Sequence, residues 1–102
     1  MKPVYVNNRV ITEEWLDSTM YHRGLPEYMV KGMFLYLTKG ILPGSFLQAV
    51  LENDLQGAAM NADQMNRECL TQWALFLYND LPADCYGSPA QVQTWAKRQR
   101  ES

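Results

Sequence analysis

The chain has 102 residues, of which 47% are hydrophobic and 20% charged, and its nine basic and eleven acidic residues give a net charge of −2. This length suffices for one domain with one core, and the composition argues against an intrinsically disordered chain. The near balance of charges argues against a nucleic-acid-binding surface that acts by bulk charge, and equally against an acidic mimic of DNA.

The sequence lacks the features of exported and membrane proteins. Its first nine residues contain no apolar stretch long enough for a signal peptide. The longest apolar region, residues 28–47, is interrupted by lysines, glycines and a proline and is too broken to span a bilayer. We therefore expect a cytoplasmic protein with no membrane partner, in which Cys69 and Cys85 are reduced thiols.

The first part of the chain predicts a short extended arm followed by a short helix. Residues 4–11 alternate weakly between apolar and polar side chains, which favours an extended segment. Thr12, followed by two glutamates, is typical of a helix start, and we expect this helix to end near Met20. We assign residues 1–24 to this arm, residues 25–98 to a helical domain and residues 99–102 to a loose basic tail.

Two further helices are delimited by proline, glycine and serine. Pro26 stands at the first position of the second helix, and Gly40 follows a lysine at its end. Ser45 and Gln48 have the spacing of a capping box, in which each side chain bonds to the backbone near the other. The third helix is therefore predicted from Ser45 to about residue 59.

The last two helices are also marked by proline. A fourth helix, residues 61–79, is stopped by Pro82 and carries a core-facing arc that runs from Met65 to Leu77. Ser88 before Pro89 predicts the start of a fifth helix. The sequence thus predicts an all-α fold, a single compact bundle-like domain of about five helices with a short extended N-terminal arm.

Helical wheels leave several large apolar side chains outside the core-facing arcs. Tyr28 and Leu35 fall between lysines on the second helix, and Leu75 falls among polar residues on the fourth. Two interpretations stay open: these residues are ordinary exposed apolar side chains or lie under another layer of helices, or they contact a partner, since aromatic residues and Met are enriched in interfaces.

Asp54 interrupts the apolar arc of the third helix and is predicted to be a buried polar residue. A buried carboxylate must accept hydrogen bonds or lose its charge. In the structural interpretation it accepts from backbone amides, a tryptophan N–H or a tyrosine O–H. The catalytic interpretation needs a second acid, base or metal ligand nearby, and the sequence identifies none.

No motif for catalysis, cofactor binding or metal binding is recognisable in the sequence. It contains no Gly-rich phosphate loop, nucleophile elbow or His-Glu-x-x-His motif, and two cysteines with one histidine do not supply a zinc site. His22, expected in a loop, could pair with Cys69 or Cys85, but an exposed or locally bonded imidazole is the interpretation we favour. We expect a non-enzymatic protein without cofactors.

The C-terminal helix ends in basic residues. Arg98 and Arg100 could contact phosphate groups, but cations also suit the last turn of a helix because they complement its dipole. Trp95 lies three residues after Val92, which is ordinary core spacing. We expect Trp95 to be buried.

Four segments carry a resemblance to a known group of proteins: LPEYM at 25–29, PGSFLQAVLENDL at 43–55, FLYN at 76–79 and GSP at 87–89. Over about residues 25–96 the chain resembles small uncharacterised accessory proteins encoded by tailed phages and prophages. The resemblance implies a phage or prophage protein in the bacterial cytoplasm of the host, and it transfers no catalytic residue.

Three functional hypotheses follow from these observations. In the leading one, the protein binds and modulates a host or phage protein such as a nuclease, polymerase or defence effector, for instance as an inhibitor in host takeover. Trp15 and Tyr21 are further candidates for partner binding because they lie outside the shared segments. The alternative is a small nucleic-acid-binding factor that uses the fifth helix and its basic tail, including Arg98 and Arg100. The third is a small hydrolase or nuclease that uses Asp54 with a metal ion. Self-association is compatible with each.

Overall fold

The computed structural model describes residues 3–6 and 8–101, and these residues fold mainly into α-helices. The α-helices are α1 (Glu13–His22), α2 (Val30–Lys39), α3 (Ser45–Leu51), α4 (Leu55–Asn61), α5 (Gln64–Glu68), α6 (Leu70–Asp80) and α7 (Pro89–Arg100). Short 3₁₀ turns lie at Glu27–Met29 and Ala83–Cys85. The all-α class is confirmed, but the described residues form seven α-helices rather than about five. Their radius of gyration, 12.5 Å, is that of a compact globule.

The predicted extended arm is a two-stranded antiparallel hairpin. Strand β1 (Tyr5–Val6) pairs with strand β2 (Arg9–Val10). The Ile11 N–H donates to the Val4 carbonyl at 2.7 Å, and the side chains of both residues are buried. The hairpin is therefore attached to the core through its two flanking residues.

Helix α1 starts where the sequence predicts. The Thr12 hydroxyl oxygen accepts a hydrogen bond from the Trp15 N–H at 3.0 Å, which satisfies one of the unpaired amides at the helix start. The helix runs two residues beyond the predicted end, so His22 is helical rather than part of a loop. Leu16 and Met20 are fully buried, and the segment that was assigned to an arm therefore contributes to the core.

The predicted third helix is wrong in length, because the chain breaks it into α3 and α4. Asn53 adopts a left-handed backbone conformation with φ 62°, which ends α3. Asp54 then caps α4, with its Oδ1 accepting from the Gly57 N–H at 2.9 Å. The break resets the helical phase, so Asp54 is exposed to solvent and not buried as predicted. The predicted capping box is also absent, because Gly44 is the cap residue of α3 and Gln48 donates to Glu52 instead.

The predicted fourth helix is likewise two helices, α5 and α6. Asp63 caps α5 by accepting from the Asn66 N–H at 2.9 Å, and the helical path is interrupted at Cys69. Cys69 and Trp73 are buried as expected. Met65 was predicted in the core-facing arc but is 57% exposed, since α5 does not continue the phase of α6.

Helices α2 and α7 are held together near their C-terminal ends. Glu27–Met29 forms a 3₁₀ turn, so α2 begins at Val30, later than the predicted start at Pro26. Gly40 ends α2 in the left-handed conformation, as predicted. The Gln99 side chain donates to the Leu37 carbonyl at 2.9 Å, which ties the end of α7 to that of α2.

The core is centred on aromatic side chains. The Trp73 ring lies 5.8 Å from Phe46 and 6.0 Å from Phe76, in edge-to-face geometry. The Tyr36 hydroxyl donates to the Cys85 carbonyl at 2.6 Å, in the interior. Trp95 is buried, as predicted. Among the described residues, no helix combines the length and the apolar character that crossing a membrane requires.

Candidate functional site

One face of α1 and the segment that leads into α2 enclose an open groove. Glu14, Asp17 and Tyr21 are three and four residues apart on α1, so their side chains lie on one side of the helix. Segment 25–30 and one residue of α5 supply the rest of the lining. The groove has a volume of about 630 Å³, and we call it the acidic groove. It is lined by Glu14, Asp17, Ser18, Tyr21, Leu25, Pro26, Glu27, Val30 and Met65.

The apolar part of the acidic groove has a buried floor and exposed sides. Leu25, Pro26 and Val30 are buried, which makes them the floor. Tyr21 is 77% exposed and Met65 is 57% exposed. These two side chains combine large apolar area with access to solvent, and both residue types are enriched at protein interfaces.

The charged part of the groove is acidic. Glu14, Asp17 and Glu27 line it, and its lining contains no lysine or arginine. An adjoining depression of about 450 Å³ adds Glu13 and the cation of Lys31. Lys31 Nζ lies 3.6 Å from Glu13 Oε1, with both side chains substantially exposed. That pair contributes little to stability, because exposed ion pairs are screened by water.

The carboxylates are distributed along the groove rather than gathered at one point. Within residues 3–6 and 8–101, no cluster of three or more His, Cys, Asp or Glu side chains has the arrangement of a metal site. Carboxylates that do not form one such cluster are suited to several separate cations, such as the Lys and Arg side chains of a polypeptide.

A chain of hydrogen bonds fixes α5 beside the segment that leads into α2. The Tyr28 hydroxyl donates to Asp63, the cap residue of α5. Asn66 donates from Nδ2 to Asp63 Oδ1 at 3.1 Å and accepts from the Trp73 indole N–H at 2.9 Å. Asn66 is 2% exposed, so the chain runs from the surface into the core. Met65 belongs to the short helix that these bonds hold, and its position in the groove depends on them.

The same hydrogen bonds shift the pKa values of two groups. The bond from Tyr28, together with the bond from the Asn66 backbone N–H, lowers the pKa of Asp63. The bond to the Asp63 carboxylate is the main cause that raises the pKa of Tyr28 to about 12. Tyr28 is therefore a neutral donor and Asp63 a charged acceptor at neutral pH.

The structure brings together only some of the partner-binding candidates predicted from sequence. Tyr21 lines the acidic groove and Tyr28 lines the adjoining depression. Trp15 is half-buried and packs against the core. Leu35 is half-buried on α2, and Leu75 is 47% exposed on α6. Leu75 belongs to a different helix from the groove and does not line it.

Sequence reasoning missed Met65 in the groove and did not identify Leu55 and Tyr78 as strongly exposed apolar side chains. Leu55 of α4 is 75% exposed and Tyr78 of α6 is 79% exposed. Leu55 lines a small cavity of about 100 Å³ between α3, α4 and α6. A helical wheel drawn for one long helix placed Leu55 and Met65 on the core-facing side. Each residue lies in a short separate helix, α4 or α5, which is rotated relative to the continuous helix that was predicted.

The basic residues of α7 contact other parts of the chain. Arg98 Nη2 lies 2.9 Å from the Asp84 carboxylate, and the guanidinium lies 4.8 Å from the centre of the Trp95 ring. Arg100 donates to the Gly40 carbonyl at 2.9 Å. Residues 99 and 100 were predicted in a loose tail, but they are helical, and their side chains bond carbonyls near the end of α2. Ser102 lies outside the described residues.

The histidine and the two cysteines lie in unlike environments. His22 is exposed at the end of α1, with its ring edge-to-face with Tyr21 at 5.7 Å. Cys69 and Cys85 are free thiols in the core. Burial raises the pKa of both thiols, which keeps them protonated and weakly nucleophilic.

Compared with protein-family models, curated proteins and solved structures, the chain shows no match in any of the three.

Proposed function

We propose that the chain is a non-enzymatic interaction module that binds a partner protein in the acidic groove and thereby modulates that partner. The resemblance to accessory proteins of tailed phages and prophages supports a host or phage protein as the partner. A nuclease, a polymerase or a defence effector in the bacterial cytoplasm is the class we propose.

The observation that carries the proposal is the exposure of Tyr21 and Met65 beside an apolar floor. Apolar area left in water costs roughly 25 cal/mol per Å² relative to buried area. A partner that covers the exposed side chains of Tyr21 and Met65 recovers that free energy. Aromatic side chains in pockets of this kind account for much of the binding energy in known interfaces.

The nucleic-acid alternative has weaker support. The acidic groove repels phosphate. Arg98 and Arg100, the residues on which that hypothesis depends, bond to Asp84 and to the Gly40 carbonyl. Salt-dependent binding of nucleic acid that is lost on changing Arg98 and Arg100 to alanine would favour the alternative over our proposal.

The experiment that tests the proposal is affinity capture from the bacterial host at native expression level. Tyr21→Ala removes an exposed groove side chain without touching the core. Tyr78→Ala is the matched control, because Tyr78 is the same residue type with nearly the same exposure, 79% against 77%, on a different helix. We expect a stoichiometric protein partner that is lost with Tyr21→Ala and retained with Tyr78→Ala. Equal capture by both variants would contradict a site in the groove.

Point variants suit this test better than truncation. A chain without residues 1–24 would lack Leu16 and Met20, which are fully buried. Loss of a large buried aliphatic side chain costs about 2–5 kcal/mol, so a truncated chain would lose binding through unfolding alone.

A further inference from the structure

We infer that the acidic groove takes a basic amphipathic segment of the partner, in which a large apolar side chain is flanked by lysines or arginines. This inference rests on the proposed function and adds the chemistry of the bound segment. The apolar side chain would lie on the floor between Tyr21 and Met65, and the cations would pair with Glu14, Asp17 and Glu27.

The negative charge of the groove favours a basic segment. Four carboxylates line the groove and the adjoining depression, against the single cation of Lys31. The whole chain carries a net charge of only −2, so this surface is far more acidic than the molecule on average. Glu13 and Glu14 also suit the first turn of α1 through the helix dipole, but Asp17 lies in the second turn and has no such role.

The apolar side chains of the groove restrict the kind of segment that can bind further than its charge does. A purely cationic peptide would leave the exposed side chains of Tyr21 and Met65 uncovered and would bind weakly through screened, exposed charges. A purely apolar peptide would remove water from the carboxylates without replacing it by cations. A segment with both features satisfies both parts of the groove at once.

A second copy of this chain fits the groove less well than a separate partner. Its densest group of basic residues is Lys97, Arg98 and Arg100 at the end of α7. Two of these already bond to their own chain, at Asp84 and at the Gly40 carbonyl. Sedimentation of the purified protein tests this occupant directly: a dimer that dissociates on Asp17→Asn would overturn the inference in favour of self-association.

The direct test measures fluorescence anisotropy of three labelled model peptides with the full-length chain. One is an amphipathic helix of lysine and leucine, the second replaces its lysines with glutamate, and the third replaces its leucines with glutamine. We expect binding of the lysine–leucine peptide only, weakening as salt is raised. Equal binding of the glutamate–leucine peptide would overturn the charge argument, and equal binding of the lysine–glutamine peptide would overturn the apolar one.

Paired variants locate the binding. Asp17→Asn with Glu27→Gln should weaken binding by about 1.4- to five-fold for each carboxylate, the range for exposed charge pairs. The control pair, Glu68→Gln with Glu101→Gln, changes the net charge by the same amount at exposed residues that do not line the groove. We expect this pair to leave peptide binding unchanged. Similar weakening by both pairs would mean that charge acts non-specifically and would overturn the inference.

Partner capture separates failure of this inference from failure of the proposed function. If the captured partner depends on Tyr21 but is unaffected by changes at Asp17 and Glu27, the basic segment is wrong and the interaction function stands. If no partner depends on Tyr21, both are wrong. Thermal unfolding of each variant confirms that loss of binding does not reflect loss of the fold.

Discussion

The approach of α2 to α7 at Gly40 yields the sharpest prediction about stability. Gly40 has φ +69°, and a Cβ built there lies 2.1 Å from the Ala96 carbonyl oxygen and 2.9 Å from its carbonyl carbon. The left-handed conformation costs an L-residue about 1–2 kcal/mol. The collision is with backbone, so α7 must move, and such overpacking costs about 1–3 kcal/mol more. We expect Gly40→Ala to destabilise the protein by about 2–5 kcal/mol.

Gly32 provides the matched control, because it lies inside α2, the helix that Gly40 ends. A Cβ at Gly32 meets no atom within 4 Å, and alanine is favoured over glycine inside a helix by about 0.5–1 kcal/mol. Gly32→Ala should therefore raise the free energy of unfolding while Gly40→Ala lowers it, as measured by urea denaturation followed by circular dichroism. A loss of no more than about 1–2 kcal/mol for Gly40→Ala, which is the cost of the left-handed conformation alone, would refute the close approach of the two helices at this point.

Three further predictions concern hydrogen bonds that involve side chains. Asn66→Ala should lower the free energy of unfolding, measured by urea denaturation, by about 1–3 kcal/mol, because the buried Trp73 N–H loses its acceptor. An unchanged denaturation midpoint would show that another group accepts the hydrogen bond of Trp73. The lowered pKa of Asp63 means that its contribution to folding is complete above the unfolded pKa of about 4 and is lost as pH falls through the lower folded value. The Tm of Asp63→Asn should therefore fall less on acidification than the Tm of the wild type. Parallel curves of Tm against pH for the two proteins would contradict this. Ser88→Ala should lower the free energy of unfolding by about 1 kcal/mol and Ser88→Gly by only a few tenths of a kcal/mol, since alanine is the poorer cap residue. The reverse order would contradict a capping role for Ser88.

The helix starts and ends that were predicted correctly depend on local interactions. Thr12 and Ser88 each accept a hydrogen bond from an amide three residues ahead, and Gly40 ends α2 because it tolerates the left-handed conformation. All the atoms involved lie within one turn of the chain. Such signals are readable from sequence because no distant residue changes their energy greatly.

The breaks inside the third and fourth predicted helices were missed for a related reason. Asn53 and Asp54 are tolerated in a helix, and only packing selects the left-handed turn and the new cap that they form. Asp63 similarly caps α5 while it bonds Tyr28, a residue far away in the sequence. Once a break is missed, a single wheel cannot assign the residues on both sides of the break to their correct faces, and Met65, which lies before the break at Cys69, was assigned to the wrong one.

The sequence by itself determined the all-α class, the main caps and the burial of residues such as Trp73, Trp95 and Cys69, because local hydrogen bonds and hydrophobic periodicity act within single elements. Only the tertiary structure decided which exposed residues form a common surface. Tyr21 and Met65 are far apart in the chain and line one groove because the hydrogen bonds of Asp63 and Asn66 hold α5 in place. Contacts of this kind depend on the packing of several elements at once, and no local pattern encodes them.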